Sequence, residues 1–213
     1  MARYLLTAGP TREAIDPVRF LSNRSSGQMG YALAAALVAH GNEVCLVSGP
    51  VHLPTPEGVT RINVESALEM MQVCAAEWPQ CDGVFGVAAV ADYRPRTTSE
   101  AKLKRKAGED FVLEMTPNPD ILATLAREKG DRLAVGFALE THNAEQEALR
   151  KMSVKNLDYL VLNGVEAQGA ETSAVELFSQ QGSRHPLGPM PKSRLATALV
   201  DLILGANKTS SHA

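Results

Sequence analysis

The sequence predicts an α/β protein with a doubly wound, mostly parallel Rossmann-like sheet and helices on both faces. Apolar runs of strand length alternate with helical patterns along the chain, and this alternation is typical of strand–helix–strand crossovers. Residues 83–90 are apolar throughout, as in a central strand that is buried on both faces. Glycine or proline closes several of these runs, which sets the boundaries between elements.

Each expected element has a local signal. Residues 29–39 are rich in alanine and leucine and stop at His40 and Gly41, which predicts a helix with a glycine C-cap. Pro119 lies in the first turn of another predicted helix, where proline is favoured. The expected helices span residues 29–39, 66–77, 119–129, 144–152 and 193–204. The expected strands span residues 4–8, 43–48, 59–64, 83–90, 111–115, 133–137, 159–162 and, at an edge or in a hairpin, 174–178.

Length and composition predict one domain at residues 1–206, followed by a polar tail at 207–213. The formal net charge of -3 gives no global basic field, so nucleic acid is not an expected partner. The three cysteines have no CxxC spacing, and Cys45 lies in an apolar run, so a buried thiol and a reducing, cytoplasmic location are expected. No run has the length of a signal peptide or a membrane span, so no membrane is expected.

The loops that follow the strands are where a ligand is expected. In doubly wound sheets, ligands bind beyond the carboxyl ends of the strands. This rule selects residues 9–29, 89–106, 116–120, 138–143 and 163–169, which also contain the most unusual residues of the chain.

The first of these loops is long and polar. It reads GPTREAIDPVRFLSNRSSGQM and lacks the GxGxxG spacing of a dinucleotide loop, although Gly9 allows a tight turn. A serine N-cap on a surface loop would explain Ser25 alone. The hydroxyls and backbone N–H groups at the helix start, with an amide and three arginines in the same loop, favour an anion site. These residues are Arg12, Arg19, Asn23, Arg24, Ser25, Ser26 and Gly27.

Two groups of basic residues have competing interpretations. The run of residues 102–106, KLKRK, is a solvated face if taken alone, but its place after a buried strand predicts a flap over the strand ends. A lysine there can neutralise charge on a phosphoryl or nucleotidyl group in transfer. Lys151 and Lys155 share one helix face suited to a polyphosphate, and a solvated helix end explains them equally well.

Four further residues can be structural or ligand-binding. Asn118 is a plausible N-cap, and Asn118 and Asp120 can also contact a base or ribose. Phe137 can fill the core, which is favoured, or stack on a base. Asp92 can hold a ribose hydroxyl or a metal-bound water.

Together these pieces resemble the bacterial phosphopantothenate–cysteine ligases (phosphopantothenoylcysteine synthetases) of coenzyme A biosynthesis. The similar segments are TAGPTREAIDPVRFLSNRSSGQMG, AAVADYRP, KLKR, TPNPDIL, VGFALET and the lysine pair before KNLD. They occur in the order found in the family, between residues 5 and 163, and the C-terminal part is only loosely similar.

The resemblance implies a two-step reaction. The carboxylate of 4'-phosphopantothenate attacks the α-phosphate of CTP, which gives an acyl-cytidylate and pyrophosphate, and the amine of cysteine then displaces CMP. It implies that Lys102 stabilises the first transition state, that Asn23 holds the acyl-cytidylate and that Arg19 assists the second step. It implies CTP contacts at Gly86, Val87, Ala88, Asp92, Lys102, Asn118, Pro119, Asp120, Ile121, Phe137, Lys151 and Lys155.

The resemblance also implies Mg²⁺ with the triphosphate, and a homodimer. No FMN is expected, because the chain begins directly at the ligase without the flavin-dependent decarboxylase to which many relatives are fused. Gln28 stands where lysine is common, which removes a positive charge beside the anion site, and residues 167–191 depart most from the family pattern.

Two other classes of protein compete with the ligase. An NAD(P)-dependent oxidoreductase needs a GxGxxG loop and an acidic residue after the second strand, where this chain has Gly49 and Pro50. A non-catalytic nucleotide-binding module would not need Asn23 and Lys102 together.

Overall fold

A computed structural model describes residues 1–105, 108–139, 143–163 and 172–210, with side chains up to 205. Its main sheet has eight strands. The first six in spatial order are parallel to one another, and each of the last two is antiparallel to the strand before it. In that order they are β5 (Val59–Asn63), β4 (Glu43–Ser48), β1 (Arg3–Ala8), β6 (Gly83–Gly86), β9 (Leu133–Leu139), β10 (Tyr159–Asn163), β11 (Thr172–Ser179) and β12 (Arg184–Pro191). The predicted fold class is confirmed.

Helices cover both faces of the sheet. Leu6 and Val135 face one layer, formed by α1 (Gln28–Ala39) and α5 (Lys192–Ser210). Leu5 and Ala134, one residue earlier on the same strands, face the other layer, because successive side chains of a strand point to opposite faces. That layer is formed by α2 (Ala67–Glu77), α3 (Ile121–Arg127) and α4 (Ala144–Val154).

Local signals in the sequence account for most of these elements. Helix α1 ends at His40 and the left-handed Gly41, as predicted. Ser66 caps α2 by accepting the Glu69 N–H at 3.2 Å. The buried thiol predicted for Cys45 is confirmed, and burial, followed by the charge of Glu77, raises the pKa of that thiol to about 11.

The strand predicted at residues 83–90 is shorter than expected and ends at Gly86. Its backbone then leaves the sheet to follow the loop after β1. The Val87 and Ala88 N–H groups both lie 3.3 Å from the Thr7 hydroxyl, and the Ala89 N–H donates to Gly9 at 2.9 Å. An apolar run therefore continues beyond the strand because its N–H groups find partners in the β1 loop.

Two other boundaries differ from the prediction. The strand expected at residues 111–115 is β8 (Met115–Pro117), which pairs with β7 (Tyr93–Pro95) in a separate small sheet. The helix expected at 119–129 is shorter, and Asp120 rather than Asn118 is its N-cap, since its carboxylate accepts the Ala123 N–H at 3.0 Å.

Four of the described strands were not predicted from the sequence, and β7 is one of them. β2 (Arg12–Ala14) and β3 (Phe20–Ser22) form a hairpin within the first loop. β12 contains three prolines, which remove ladder donors, and it forms at the edge of the sheet, where proline is tolerated. Helix α5 continues to Ser210 instead of ending at 204, and residues 211–213 lie outside the described part.

Candidate active site

Two adjoining pockets lie at the carboxyl ends of the parallel strands. Strand order reverses between β1 and β6, and this switch point is where doubly wound folds bind ligands. The α1 pocket, about 250 Å³, lies against the start of α1, and the α3 pocket, about 380 Å³, lies against the start of α3. Both pockets are lined by Ala88, Ala89 and Phe137, which therefore form a shared wall.

Most of the residues expected to contact a nucleotide line the α3 pocket. They are Gly86, Ala88, Asp92, Asn118, Pro119, Asp120, Ile121, Phe137 and Lys155. Val87 lines the α1 pocket instead, while Lys102 and Lys151 line neither. The geometry thus brings together residues from four separate segments of the sequence.

Asn118 and Asp120 have different roles in the α3 pocket. The Asn118 amide donates to the Ala91 carbonyl at 2.8 Å and accepts from Arg94 at 3.1 Å, so it ties the pocket wall together. Asp120 caps α3 and forms an ion pair with Lys155 at 2.8 Å. An anionic ligand near Lys155 would therefore compete with Asp120 for its ammonium group.

The α1 pocket begins at an uncapped helix. Gly27 is the N-cap residue, in the left-handed region with a φ of 77°, and no side chain caps the helix. The Ser25 hydroxyl accepts the Gly27 N–H at 3.3 Å. Ser25, Ser26 and Gly27 all line the pocket. The N–H groups of the first turn thus face the loop that was predicted to bind an anion.

Close packing brings this helix to the sheet. A Cβ atom on Gly30 would lie 2.5 Å from the Cβ of Ala8, so only glycine allows the observed approach of α1 to β1. Gly9 lines neither pocket and packs against Gly27, since a Cβ atom added to Gly27 would lie 3.4 Å from the Gly9 Cα. Its contribution to the predicted anion loop is therefore structural.

The three arginines of the first loop do not form one cluster. Arg24 lines the α1 pocket. Arg12 lies 4.6 Å from the centroid of the Phe20 ring and 3.6 Å from the Glu65 carboxylate, away from both pockets. Arg19 contacts Asp16 and lines neither pocket. Of the three arginines, Arg24 lines the α1 pocket, and Arg12 and Arg19 line neither pocket.

Asn23 lines neither pocket itself, but its side chain is hydrogen-bonded to the backbone of residues that do. Its side-chain N–H₂ is 3.2 Å from the carbonyl of Ala89, in the shared wall, and 3.2 Å from that of Val90, in the α3 pocket. These two bonds fix the amide against the loop that follows β6. The Asn23 side chain is thereby oriented before any ligand binds.

Asp16, which sequence reasoning missed, connects Arg19 to the segment that carries Lys102. Its buried carboxylate accepts the Leu103 N–H at 3.1 Å, while the Arg19 guanidinium donates to that carboxylate and to the Leu103 carbonyl at 2.7 Å. We call this arrangement the Leu103 latch. Burial raises the pKa of Asp16, but bonds from Val18, Arg19 and Leu103 outweigh it and hold the pKa well below its usual range.

The latch fixes the backbone beside Lys102, whose exposed side chain projects from the described flap residues 102–105. Lys106 lies outside the described residues, as do parts of the loops at 138–143 and 163–169. The sequence signal for Asp16 is local and predicts only a turn, because aspartate favours turns in which its side chain accepts nearby N–H groups. In the structure these are the N–H groups of Val18 and Arg19.

Searches for metal clusters and membrane spans give negative results for the described part of the chain. There, no group of three or more His, Cys, Asp or Glu side chains is arranged to hold a metal ion. No described helix combines the length and apolar character needed to cross a bilayer.

Comparisons with known proteins place the chain in a family. The family model of the DNA/pantothenate metabolism flavoprotein C-terminal domain matches residues 1–206. The coenzyme A biosynthesis bifunctional protein CoaBC of Vibrio cholerae is 47% identical over 207 residues, covering 94% of this chain and 52% of that protein. The chain thus spans about half the length of this curated relative.

Solved structures agree with this assignment. The crystal structure of the C-terminal domain of CoaBC has a TM-score of 0.85 and 39% identity, and the match covers 98% of this chain and 96% of that one. The DNA/pantothenate metabolism flavoprotein from Streptococcus pneumoniae, at 19% identity and a TM-score of 0.82 over 97% of this chain and 100% of its own, shares the fold. The chain therefore belongs to the family of DNA/pantothenate metabolism flavoprotein C-terminal domains.

Proposed function

We propose that this chain is a phosphopantothenate–cysteine ligase of coenzyme A biosynthesis that uses CTP and acts in the cytoplasm. The observation that carries the proposal is the pair of adjoining pockets that share the wall of Ala88, Ala89 and Phe137, with the Asn23 amide bonded to the Ala89 carbonyl. A ligase of this kind must hold a nucleotide and an acid side by side so that carboxylate and α-phosphate can meet. The similarity to the C-terminal domain of CoaBC supports the same reaction.

In the first step, the carboxylate of 4'-phosphopantothenate forms a bond to the α-phosphorus of CTP, and the bond to pyrophosphate breaks. Negative charge develops on the phosphoryl oxygens and on the leaving group, and Lys102 supplies the cation that stabilises it. The nucleoside occupies the α3 pocket between Asp92, Asn118 and Phe137. Lys155 and Lys151 bind the phosphates. Lys155 breaks its ion pair with Asp120 and forms one with the phosphates instead.

In the second step, the amine of cysteine attacks the acyl carbon, CMP departs with the bonding electrons, and the amine loses a proton. Asn23, held by two carbonyls of the shared wall, keeps the acyl-cytidylate in place. Arg19 assists this step once its guanidinium has left the Leu103 carbonyl. The Leu103 latch thus links the residue used in the second step to the flap used in the first.

Mg²⁺ accompanies the nucleotide in this proposal. The described residues offer no cluster of three metal-binding side chains, which fits an ion held mainly by phosphate oxygens. Asp92, exposed at the mouth of the α3 pocket, is the carboxylate placed to contact it or a water bound to it. When bound, the ion would screen the negative charge of the triphosphate.

A homodimer also belongs to this proposal. The β2–β3 hairpin and the adjacent β7 expose large apolar side chains, among them Val18 at 60%, Phe20 at 49% and Tyr93 at 57%. Exposed apolar side chains gathered on neighbouring strands are typical of a protein–protein contact. A second copy of the chain is the expected partner.

Pyrophosphate release tests the proposed function. The purified chain is incubated with CTP, Mg²⁺, 4'-phosphopantothenate and cysteine, and with each component omitted in turn. We expect pyrophosphate without cysteine only up to about one equivalent per site, and continuous release with it, because the amine regenerates the enzyme. Replacing CTP by ATP measures the nucleotide preference. If the complete mixture releases no pyrophosphate, the ligase proposal is wrong and a nucleotide-binding module or an oxidoreductase becomes the better interpretation.

A further inference from the structure

The C-terminal part of the chain closes the α1 pocket opposite the Ser25–Gly27 loop. Asn163 lies at the end of β10, Ser173 near the start of β11, and Lys192 is the first residue of α5. All three line the pocket. Ser173 and Lys192 come from the C-terminal part, which is only loosely similar to the ligase family, so the resemblance assigns them no role.

Two polar atoms in this wall lack a partner. Ser173 is 4% exposed, and its Oγ has no hydrogen-bond partner among the described residues. The buried Oδ1 of Asn163 is in the same situation within the described part of the chain. A buried polar group without a partner is destabilising, and a ligand in the pocket would supply the missing partners.

The charge of the pocket indicates the chemistry of that ligand. Arg24 and Lys192 are its charged lining residues, and no acidic side chain is found among the described residues that line it. The Lys192 ammonium group donates to the side-chain oxygen of Gln28 at 3.2 Å, and burial lowers its pKa. A cation that has lost part of its water shell and whose hydrogen bond goes to a neutral amide gains strongly from a nearby anion.

The sequence already predicts an anion site at the start of α1, and we propose that Lys192 and Ser173, from the C-terminal part of the chain, are ligands of a phosphate group bound there. The lysine supplies charge, the hydroxyl of Ser173 donates one hydrogen bond, and the N–H groups of the helix start complete the site. Lys192 thus brings a positive charge to Gln28 from the far end of the chain.

Two phosphate sources reach this pocket under the proposed function. One is the phosphate monoester of the acid substrate, and the other is the polyphosphate tail of the nucleotide, which would cross the shared wall of Ala88, Ala89 and Phe137. Only the identity of the source rests on the proposed function. The existence of a phosphate site does not.

Calorimetric titration of the full chain tests the site without turnover. Inorganic pyrophosphate is the probe. Lys192→Gln is compared with Lys192→Arg and with the control Arg194→Gln, which removes an exposed cation two residues further along the same helix. We expect Lys192→Gln to weaken binding by about 10- to 100-fold, the effect of losing a charge-assisted hydrogen bond. Lys192→Arg retains most of the affinity, and Arg194→Gln binds like the wild type.

Two further titrations distinguish the sources. Weaker binding of 4'-phosphopantothenate by Lys192→Gln, with pantothenate unchanged, identifies the phosphate monoester. Weaker binding of CTP, with CMP unchanged, identifies the polyphosphate tail. Ser173→Ala, which leaves the lysine in place, should reproduce the same pattern with a smaller loss. If Lys192→Gln and Ser173→Ala both bind pyrophosphate as tightly as Arg194→Gln does, the proposal is wrong.

Discussion

Single side chains decide whether the proposed chemistry can occur, and Lys102 is the first of them. Lys102→Gln removes the cation that stabilises the charge developing at the α-phosphate, so pyrophosphate release should fall by about 10²- to 10³-fold. The neighbouring exposed Lys104→Gln is the matched control and should keep the wild-type rate. A wild-type rate in the Lys102 variant would remove this residue from the mechanism.

A substitution at Asn23 tests the two proposed steps separately. In Asn23→Asp, a carboxylate would repel the phosphate of the mixed anhydride and would face the carbonyls of Ala89 and Val90, to which it has no proton to donate. We expect the acyl-cytidylate still to form and to react slowly with cysteine, so that it accumulates and can be quantified by chromatography of the quenched reaction. Failure to trap any intermediate contradicts the assigned role.

Asp16 makes the Leu103 latch sensitive to acid. Because the pKa of Asp16 is lower in the folded chain than the value of about 3.9 in an unfolded one, the carboxylate stabilises the fold above that value and loses this effect as pH falls. Asp16→Asn should therefore show a weaker decrease of unfolding free energy between about pH 5 and pH 2. Urea titrations at several pH values measure the free energy of unfolding of both proteins.

The exposed Asp131→Asn is the control for this effect and should keep the pH dependence of the wild type. The latch adds a second readout, because it holds the backbone next to Lys102. Trypsin should cleave the Asp16→Asn variant faster after Lys102 and Lys104. Equal cleavage rates in the two variants would show that Asp16 does not position the flap.

The candidate site could be predicted from the sequence wherever a residue acts through its local motif. Asp92 follows β6 and Phe137 lies near the end of β9, and these neighbouring parallel strands end at one edge of the sheet, so the sequence alone brought the two residues together. Asp16, Ser173 and Lys192 could not be found in this way. Their roles arise from contacts with residues far along the chain, which no local pattern encodes.

At the scale of elements, the approach of α1 to β1 depends on Gly30. Gly30→Ala places a methyl group 2.5 Å from the Ala8 Cβ, so the helix must move, at an expected cost of about 1–3 kcal/mol in unfolding free energy. Gly205→Ala is the matched control, because among the described residues no atom outside the adjacent backbone of α5 lies within 4 Å of its added Cβ. It should stabilise the chain by about 1 kcal/mol.

Urea unfolding of the two variants checks this prediction, and the same loss of stability in both would contradict it. The shift of α1 should also widen the α1 pocket and leave the α3 pocket unchanged, because α3 packs on the other face of the sheet. Binding of pyrophosphate and of CMP, measured separately, distinguishes the two pockets.

Element boundaries show why pattern reasoning succeeds in the centre of the sheet and fails at its margins. The central strands β1, β4 and β9 are buried on both faces, so their apolar runs are long and unambiguous. β12 is an exposed edge strand rich in proline, and its pairing comes from β11 rather than from its own propensity. The end of β6 is set by the Thr7 hydroxyl, a tertiary contact.

For the whole molecule, the exposed apolar side chains of the β2–β3 hairpin predict association. Val18→Asp places a charge on this surface and should shift the protein from dimer to monomer in sedimentation velocity experiments. Leu68→Asp, an exposed apolar position on α2, is the control and should leave the dimer intact. A monomeric wild type, or a dimer that survives Val18→Asp, contradicts the prediction.

The distance along the chain between Lys192 and Gln28 determines the order in which the two pockets can form during synthesis. These residues are 164 positions apart, and His40 contacts Asp201 across 161. A ribosome releases the N-terminal strands first, and contacts of such long range close last. A nascent chain that has emerged as far as Lys155 already contains every wall of the α3 pocket. The α1 pocket closes only after α5 has begun to emerge, so a chain that is stalled or cleaved before Lys192 would have the walls of the α3 pocket without a complete α1 pocket.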